Sequence, residues 1–139
     1  MKKIIILFFL TAIISCSDSN NKVVFLGDSI TENATTIKGD TLTFANGSIF
    51  VPKYTGFISR IKEKVSADIE LIGKGIGGDK VSDLLTRYRN DVIQLNPDIV
   101  FIYIGINDVW HKYDFGTGSD IDLYEKGLRQ IIGDIKNIG

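Results

Sequence analysis

The chain has 139 residues, enough for one domain with a real core, and a net charge of −1 at pH 7. Hydrophobic residues make up 44% and charged residues 24%, which excludes a disordered polar chain. The near-neutral charge removes any electrostatic case for a nucleic-acid partner.

Lys2 and Lys3 precede an apolar run over residues 4–14, interrupted only by Thr11, and Ser15-Cys16 follows. A basic start, a short apolar stretch and a small residue before the cut predict a secretory signal peptide over residues 1–15. The run is too short to span a bilayer, which takes roughly 20 apolar residues. Ile13-Ile14-Ser15-Cys16 resembles a bacterial lipobox, with Ile where Leu is usual. That resemblance implies cleavage before Cys16, acylation of Cys16, and an exported lipoprotein held to a membrane by this anchor alone. Cys16 is the only cysteine, so no disulfide forms within the chain; the plainer alternative is an incidental cysteine behind an ordinary signal. Cleavage removes Lys2 and Lys3 and takes the net charge from −1 to −3. Residues 16–21 continue as a short polar tether.

The domain proper is expected over residues 22–139. Val23-Val24-Phe25-Leu26, closed by Gly27-Asp28, predicts a strand buried on both faces, as in a parallel sheet. Residues 41–51 alternate apolar and polar around Asn46-Gly47, which predicts a small β-hairpin inserted over the top of that strand. Phe57, Ile58, Ile61 and Val65 recur at helical spacing. Residues 69–72 form a second short strand running into glycines. Val81, Leu84, Leu85, Tyr88 and Val92 mark another helix, stopped by Asn96-Pro97. The third strand, residues 99–104, is rich in β-branched and aromatic side chains and ends at Gly105. Leu123, Leu128, Ile131, Ile132 and Ile135 give a last amphipathic helix. Strands alternating with helices imply βαβ units and a three-layer α/β domain. The third strand is too apolar for an edge, and the last helix should return to the sheet. The sandwich is therefore expected to be incomplete at its C-terminal side, with the sequence a truncated part of a longer one.

In an open parallel sheet, ligands bind beyond the carboxyl ends of the strands. Gly27-Asp28-Ser29-Ile30, Gly75-Ile76-Gly77-Gly78-Asp79 and Gly105-Ile106-Asn107-Asp108 all fall there. Residues 73–78 also spell Gly-x-Gly-x-x-Gly, as a dinucleotide site does, but the acid that should close the next strand is absent; Asp98 begins that strand instead. Asp28, Asp79 and Asp108 could gather a divalent metal for phosphatase chemistry. The alternative role of these aspartates is to hold loop backbone, and a metal site leaves Ser29 and Asn107 without a purpose. No metal and no cofactor is expected.

Together the three motifs resemble the SGNH/GDSL hydrolase family over residues 22–139. The resemblance implies a flavodoxin-like α/β/α sandwich and a serine esterase in which Ser29 is the nucleophile. It further implies that the backbone N–H of Gly78 and the side chain of Asn107 donate to the oxyanion. Physical chemistry agrees: acyl transfer builds charge on the former carbonyl oxygen, and the N–H groups of Ser29 and Gly78 with the Asn107 amide can face it. Asn donates while staying neutral, and Gly keeps a Cβ out of the way.

The family carries its base in an Asp-x-x-His beyond the end of this sequence. The only histidine, His111, stands in Asp108-Val109-Trp110-His111, which spells the same pattern in the wrong place. A triad is recognised by geometry rather than spelling, so Trp110 and His111 are expected to line the cleft or face solvent. The resulting expectation is a small-molecule or carbohydrate ester as substrate, with Trp110 and Tyr113 favouring acetylated sugars. A non-catalytic carbohydrate-binding surface lipoprotein is the alternative from another class.

Overall fold

Val23, Val24, Phe25 and Leu26 point alternately to opposite sides of an extended chain, and all four are buried. Such a strand needs partners on both faces and both edges. The computed structural model describes residues 21–43 and 46–138 and gives it both. In chain order the elements are β1 (Asn21–Gly27), α1 (Ser29–Asn33), β2 (Leu42–Thr43), β3 (Ile49–Phe50), α2 (Phe57–Lys62), β4 (Ile69–Gly75), α3 (Val81–Asp91), a 3-10 turn (Ile93–Leu95), β5 (Ile99–Tyr103), α4 (Ile106–Asp114) and α5 (Ile121–Lys136). β1 lies at the centre of a parallel sheet of order β4-β1-β5. The predicted signal peptide, Cys16 and most of the tether lie outside the described residues.

Helices cover both faces of β1. On one side Val24 and Leu26 pack with Val81, Leu84, Tyr88 and Val92 around α3 and with Ile131 of α5. On the other, Val23 and Phe25 pack with Ala34 and Ile58 beside α1 and α2. Each such aliphatic side chain, fully buried, contributes about 1.5–3 kcal/mol. This is the α/β/α layering expected from the strand–helix alternation, present as a partial sandwich.

The details differ from the sequence reading in four places. β4 runs on to Gly75, because its glycines pair along β1 rather than ending the strand. α2 stops at Lys62, so Val65 lies beyond it. The hairpin β2–β3 pairs Leu42 with Phe50 and Thr43 with Ile49, but it is a separate two-stranded sheet with exposed residues, not a cover on β1. α4 was not anticipated as a helix.

β5 is the remaining asymmetry. Val100 and Ile102 pack towards α3 and α5, whereas Phe101 and Tyr103 on the opposite face are more than half exposed. Phe101 stacks on Phe25 at 5.0 Å, and an open apolar groove of about 400 Å³ runs past Ile30, Phe57 and Tyr103. Among the described residues β5 pairs only with β1. Among them, too, no helix is long and apolar enough to cross a membrane.

Candidate active site

The register brings the strand ends level. Gly27 lies opposite Gly75 on one side and Tyr103 on the other, so the three motif-bearing loops leave the sheet at one height. Ser29 is the first residue of α1 and is half-buried. Asp28 caps that helix: its Oδ1 accepts from the Ile30 N–H at 2.9 Å, and its carbonyl accepts from the Glu32 N–H at 2.9 Å. Asp28 is fully buried, and its Oδ2 has no partner among the described residues.

The glycine-rich loop after β4 folds against α1. A Cβ on Gly75 would fall 2.0 Å from the Glu32 backbone nitrogen, so only glycine lets strand and helix meet. A Cβ on Gly77 would lie 3.8 Å from the Ser29 Cβ, which places this loop beside the serine. The Ile76 N–H also donates to the Gly27 carbonyl at 3.2 Å. Gly78 has φ +85, and a Cβ there would meet nothing. The requirement at Gly78 is therefore its left-handed backbone, and the close approach falls on Gly77, its neighbour.

The third motif opens α4. Asn107 and Asp108 sit in its first turn and are buried. The Asn107 Nδ2 donates to the Asp79 carbonyl at 2.9 Å. Both carboxylate oxygens of Asp108 accept from the Val81 N–H, at 3.2 and 3.1 Å, at the N-terminus of α3. That end of a helix favours negative charge and offers unpaired N–H groups. The loops after β4 and β5 are thus tied together twice, and the first of them lies against Ser29.

The three aspartates do separate work. Asp28 caps α1, Asp108 holds α3, and the Asp79 side chain pairs with Arg87 at 2.7 Å. Among the described residues no group of three His, Cys, Asp or Glu side chains could hold a metal ion. Each of the three thus makes a structural contact, the role weighed against metal binding from the sequence. Burial raises the Asp79 pKa; the Arg87 partner and Lys80 act in the opposite sense, and Asp83 adds to the rise.

His111 stands one turn beyond Asn107 on α4. Its ring packs edge-on to Phe115 at 5.3 Å and beside Trp110 at 5.9 Å. No hydrogen bond joins it to Ser29 among those of the described residues. Trp110 is half exposed and its indole N–H donates to the Asp114 carboxylate, while Tyr113 is 81% exposed.

Sequence reasoning missed Arg87. It lies on the helix that carries Val81, Leu84 and Tyr88, and its one signal was a cation set among those apolar positions. Its guanidinium reaches the ends of both β1 and β4 as well as Asp79.

Residues 25–139 match the model of the GDSL-like lipase/acylhydrolase family. An acetylxylan esterase of Geobacillus stearothermophilus is 36% identical over 123 residues, covering 85% of this chain and 55% of that protein. YqeF, an uncharacterized lipoprotein of Bacillus subtilis (strain 168), is 28% identical over 110 residues, covering 78% of this chain and 41% of its own. The solved structure of Axe2, an acetylxylan esterase from Geobacillus stearothermophilus, as a catalytic mutant with a histidine changed to alanine, superposes with a TM-score of 0.68 at 33% identity. It covers 86% of this chain and 56% of Axe2. Other catalytic mutants of Axe2 change a serine and an aspartate, the aspartate three positions before the histidine. The chain spans about half the length of these relatives. With the level strand ends and the three motifs in their order, the match over residues 25–139 makes the chain a member of the GDSL-like lipase/acylhydrolase family.

Proposed function

We propose that this chain carries the nucleophile and the oxyanion donors of a serine esterase that removes acetyl groups from carbohydrate. The observation that supports this most is the bond from Asn107 to the Asp79 carbonyl. One amide proton of Asn107 is fixed by that bond, which leaves the other to donate elsewhere. Ser29 and Gly78 have backbone N–H groups without backbone acceptors among the described residues, which supports reading them, with Asn107, as the donors to the oxyanion.

In the reaction, the Ser29 Oγ attacks the ester carbonyl carbon and gives up its proton to a base. The carbonyl electron pair moves to oxygen, where Ser29, Gly78 and Asn107 donate to it. Collapse expels the sugar oxygen, which takes the proton back. Water then attacks the acetyl-Ser29 ester by the same path and releases acetate. A histidine from an Asp-x-x-His outside residues 22–139 serves as base. The Asp and His of the Axe2 catalytic mutants have that spacing, and His111 packs against aromatic rings instead.

Acetylated sugars are the substrate class that fits best, since the acetylxylan esterase of Geobacillus stearothermophilus matches along most of this chain in sequence and in fold. Trp110 and Tyr113, exposed on the helix that carries Asn107 in its first turn, offer flat faces to sugar rings. The lipobox-like Ile13-Ile14-Ser15-Cys16 and the similarity to YqeF support export and acylation of Cys16.

The test is hydrolysis of p-nitrophenyl acetate and acetylated xylan by the full-length gene product. Ser29→Ala abolishes turnover, chelator leaves it intact, and His111→Ala leaves it unchanged. Chelator-sensitive turnover with a tolerant Ser29 overturns the reading. Cys16→Ala abolishes labelling by a palmitate analogue in cells; persistent labelling overturns the anchor.

A further inference from the structure

Arg87 is remote from the hydroxyl of Ser29 in sequence, yet its guanidinium meets the ends of β1 and β4 and the side chain of Asp79 in the loop after β4. Nε donates to the Asp79 carboxylate at 2.7 Å and Nη2 to the Gly27 carbonyl at 2.8 Å. Nη1 donates to the Lys74 carbonyl at 3.1 Å and to the Asp91 carboxylate at 2.5 Å. Four of its five N–H donors are thereby engaged, with the side chain only 14% exposed. Gly27 is two residues before Ser29; Lys74 is the next-to-last residue of β4, ahead of the glycine loop; Asp79 follows Gly78. The carbonyl of that same Asp79 receives the Asn107 amide.

We propose that Arg87 is the positioning residue of the oxyanion site, holding Asp79 so that the Gly78 N–H and the Asn107 amide keep their aim relative to Ser29. The inference rests on the serine-esterase reading for its catalytic consequence, but not for its geometric one. A planar guanidinium can bridge two strand-end carbonyls and a carboxylate at fixed angles. A lysine ammonium is a single point on a flexible stem and cannot span the same acceptors. α3 makes the arm rigid, because its N-terminal Val81 N–H is bound by Asp108, next to Asn107.

The test uses the full-length protein with Arg87→Gln, Arg87→Lys and Asn107→Ala, alone and combined, each checked for cooperative unfolding. Arg87→Gln lowers kcat by about 10²-fold with KM little changed, since a small misplacement of donors is felt in the transition state. Arg87→Lys, which keeps the charge, fails to restore it. In the Asn107→Ala background the Arg87→Gln loss shrinks, because part of that loss runs through the Asn107 amide. Independently of turnover, the Asn107 side-chain amide resonances shift and their protons exchange faster in both Arg87 variants. If Arg87→Gln does not fold, Arg87→Lys carries the same readouts. Full turnover in Arg87→Lys, fully multiplicative losses, or unmoved Asn107 resonances overturn the proposal. If Ser29→Ala retains activity, the esterase reading falls and the Asn107 resonances alone decide the role of Arg87.

Discussion

The side-chain amide of Asn107 donates to the backbone carbonyl of Asp79 across 2.9 Å, joining the start of α4 to the loop after β4. A donor so fixed has little freedom to reorient when charge develops nearby. Preorganisation of this kind is what distinguishes a catalytic donor from solvent. Asn107→Ala should therefore lower kcat on p-nitrophenyl acetate by about 10²–10³-fold. Asn107→Asp should be worse than alanine, since a carboxylate would face both the Asp79 carbonyl and the oxyanion. Equal activity in the two variants would show that Asn107 holds the loop without donating to substrate.

Asp108 makes a different kind of prediction, on stability. Its carboxylate is the acceptor for the buried Val81 N–H. Asp108→Ala leaves that donor unsatisfied and should cost roughly 1–3 kcal/mol in urea unfolding. Asp108→Asn keeps one acceptor oxygen and should lose less. An alanine variant as stable as the parent would mean that water replaces the carboxylate at no cost.

The two central glycines of the loop can be separated. Gly78 has a left-handed backbone with open space around it, so Gly78→Ala strains the chain by about 1–2 kcal/mol and turns its N–H away from the site. Gly77→Ala brings a methyl to 3.0 Å from the Glu32 carboxylate, the end of a flexible side chain. The expected result is a large loss of kcat for Gly78→Ala and a small one for Gly77→Ala, measured side by side. The reverse order would place the donor on Gly77.

The sheet was legible because its strands are apolar for a physical reason: β1 is buried on both faces, and no other pattern satisfies that position. The motifs were legible because serine, glycine and asparagine each bring a property that few residues share. What the sequence concealed were relations between distant segments. Nothing in Arg87 alone reveals that Gly27, Lys74, Asp79 and Asp91 converge on it. α4 was hidden because the glycine of Gly105-Ile106-Asn107-Asp108 reads as a loop, whereas Gly105, at φ +129, turns the chain directly into a helix. The hairpin around Asn46-Gly47 was readable as a local turn, but its place relative to β1 depends on packing that no local signal records.

Asp79 gives the pH dependence its sign. Burial, the largest influence, raises its carboxyl above the ordinary 3.8; Arg87 and Lys80 pull it down and Asp83 pushes it up. A raised carboxyl means that the fold favours the protonated form. Its contribution to stability is full below the unfolded value and is lost as pH rises through the folded one. Removing the guanidinium takes away the main opposing influence, so in Arg87→Gln the folded value rises further and the loss deepens. The stability gap between parent and Arg87→Gln should therefore widen as pH rises from about 4 to 7 in urea titrations. Adding Asp79→Asn to Arg87→Gln removes the titrating group and should flatten the gap. A gap that stays constant or narrows with pH would mean that the Asp79–Arg87 pair carries little of the energy that holds the loop.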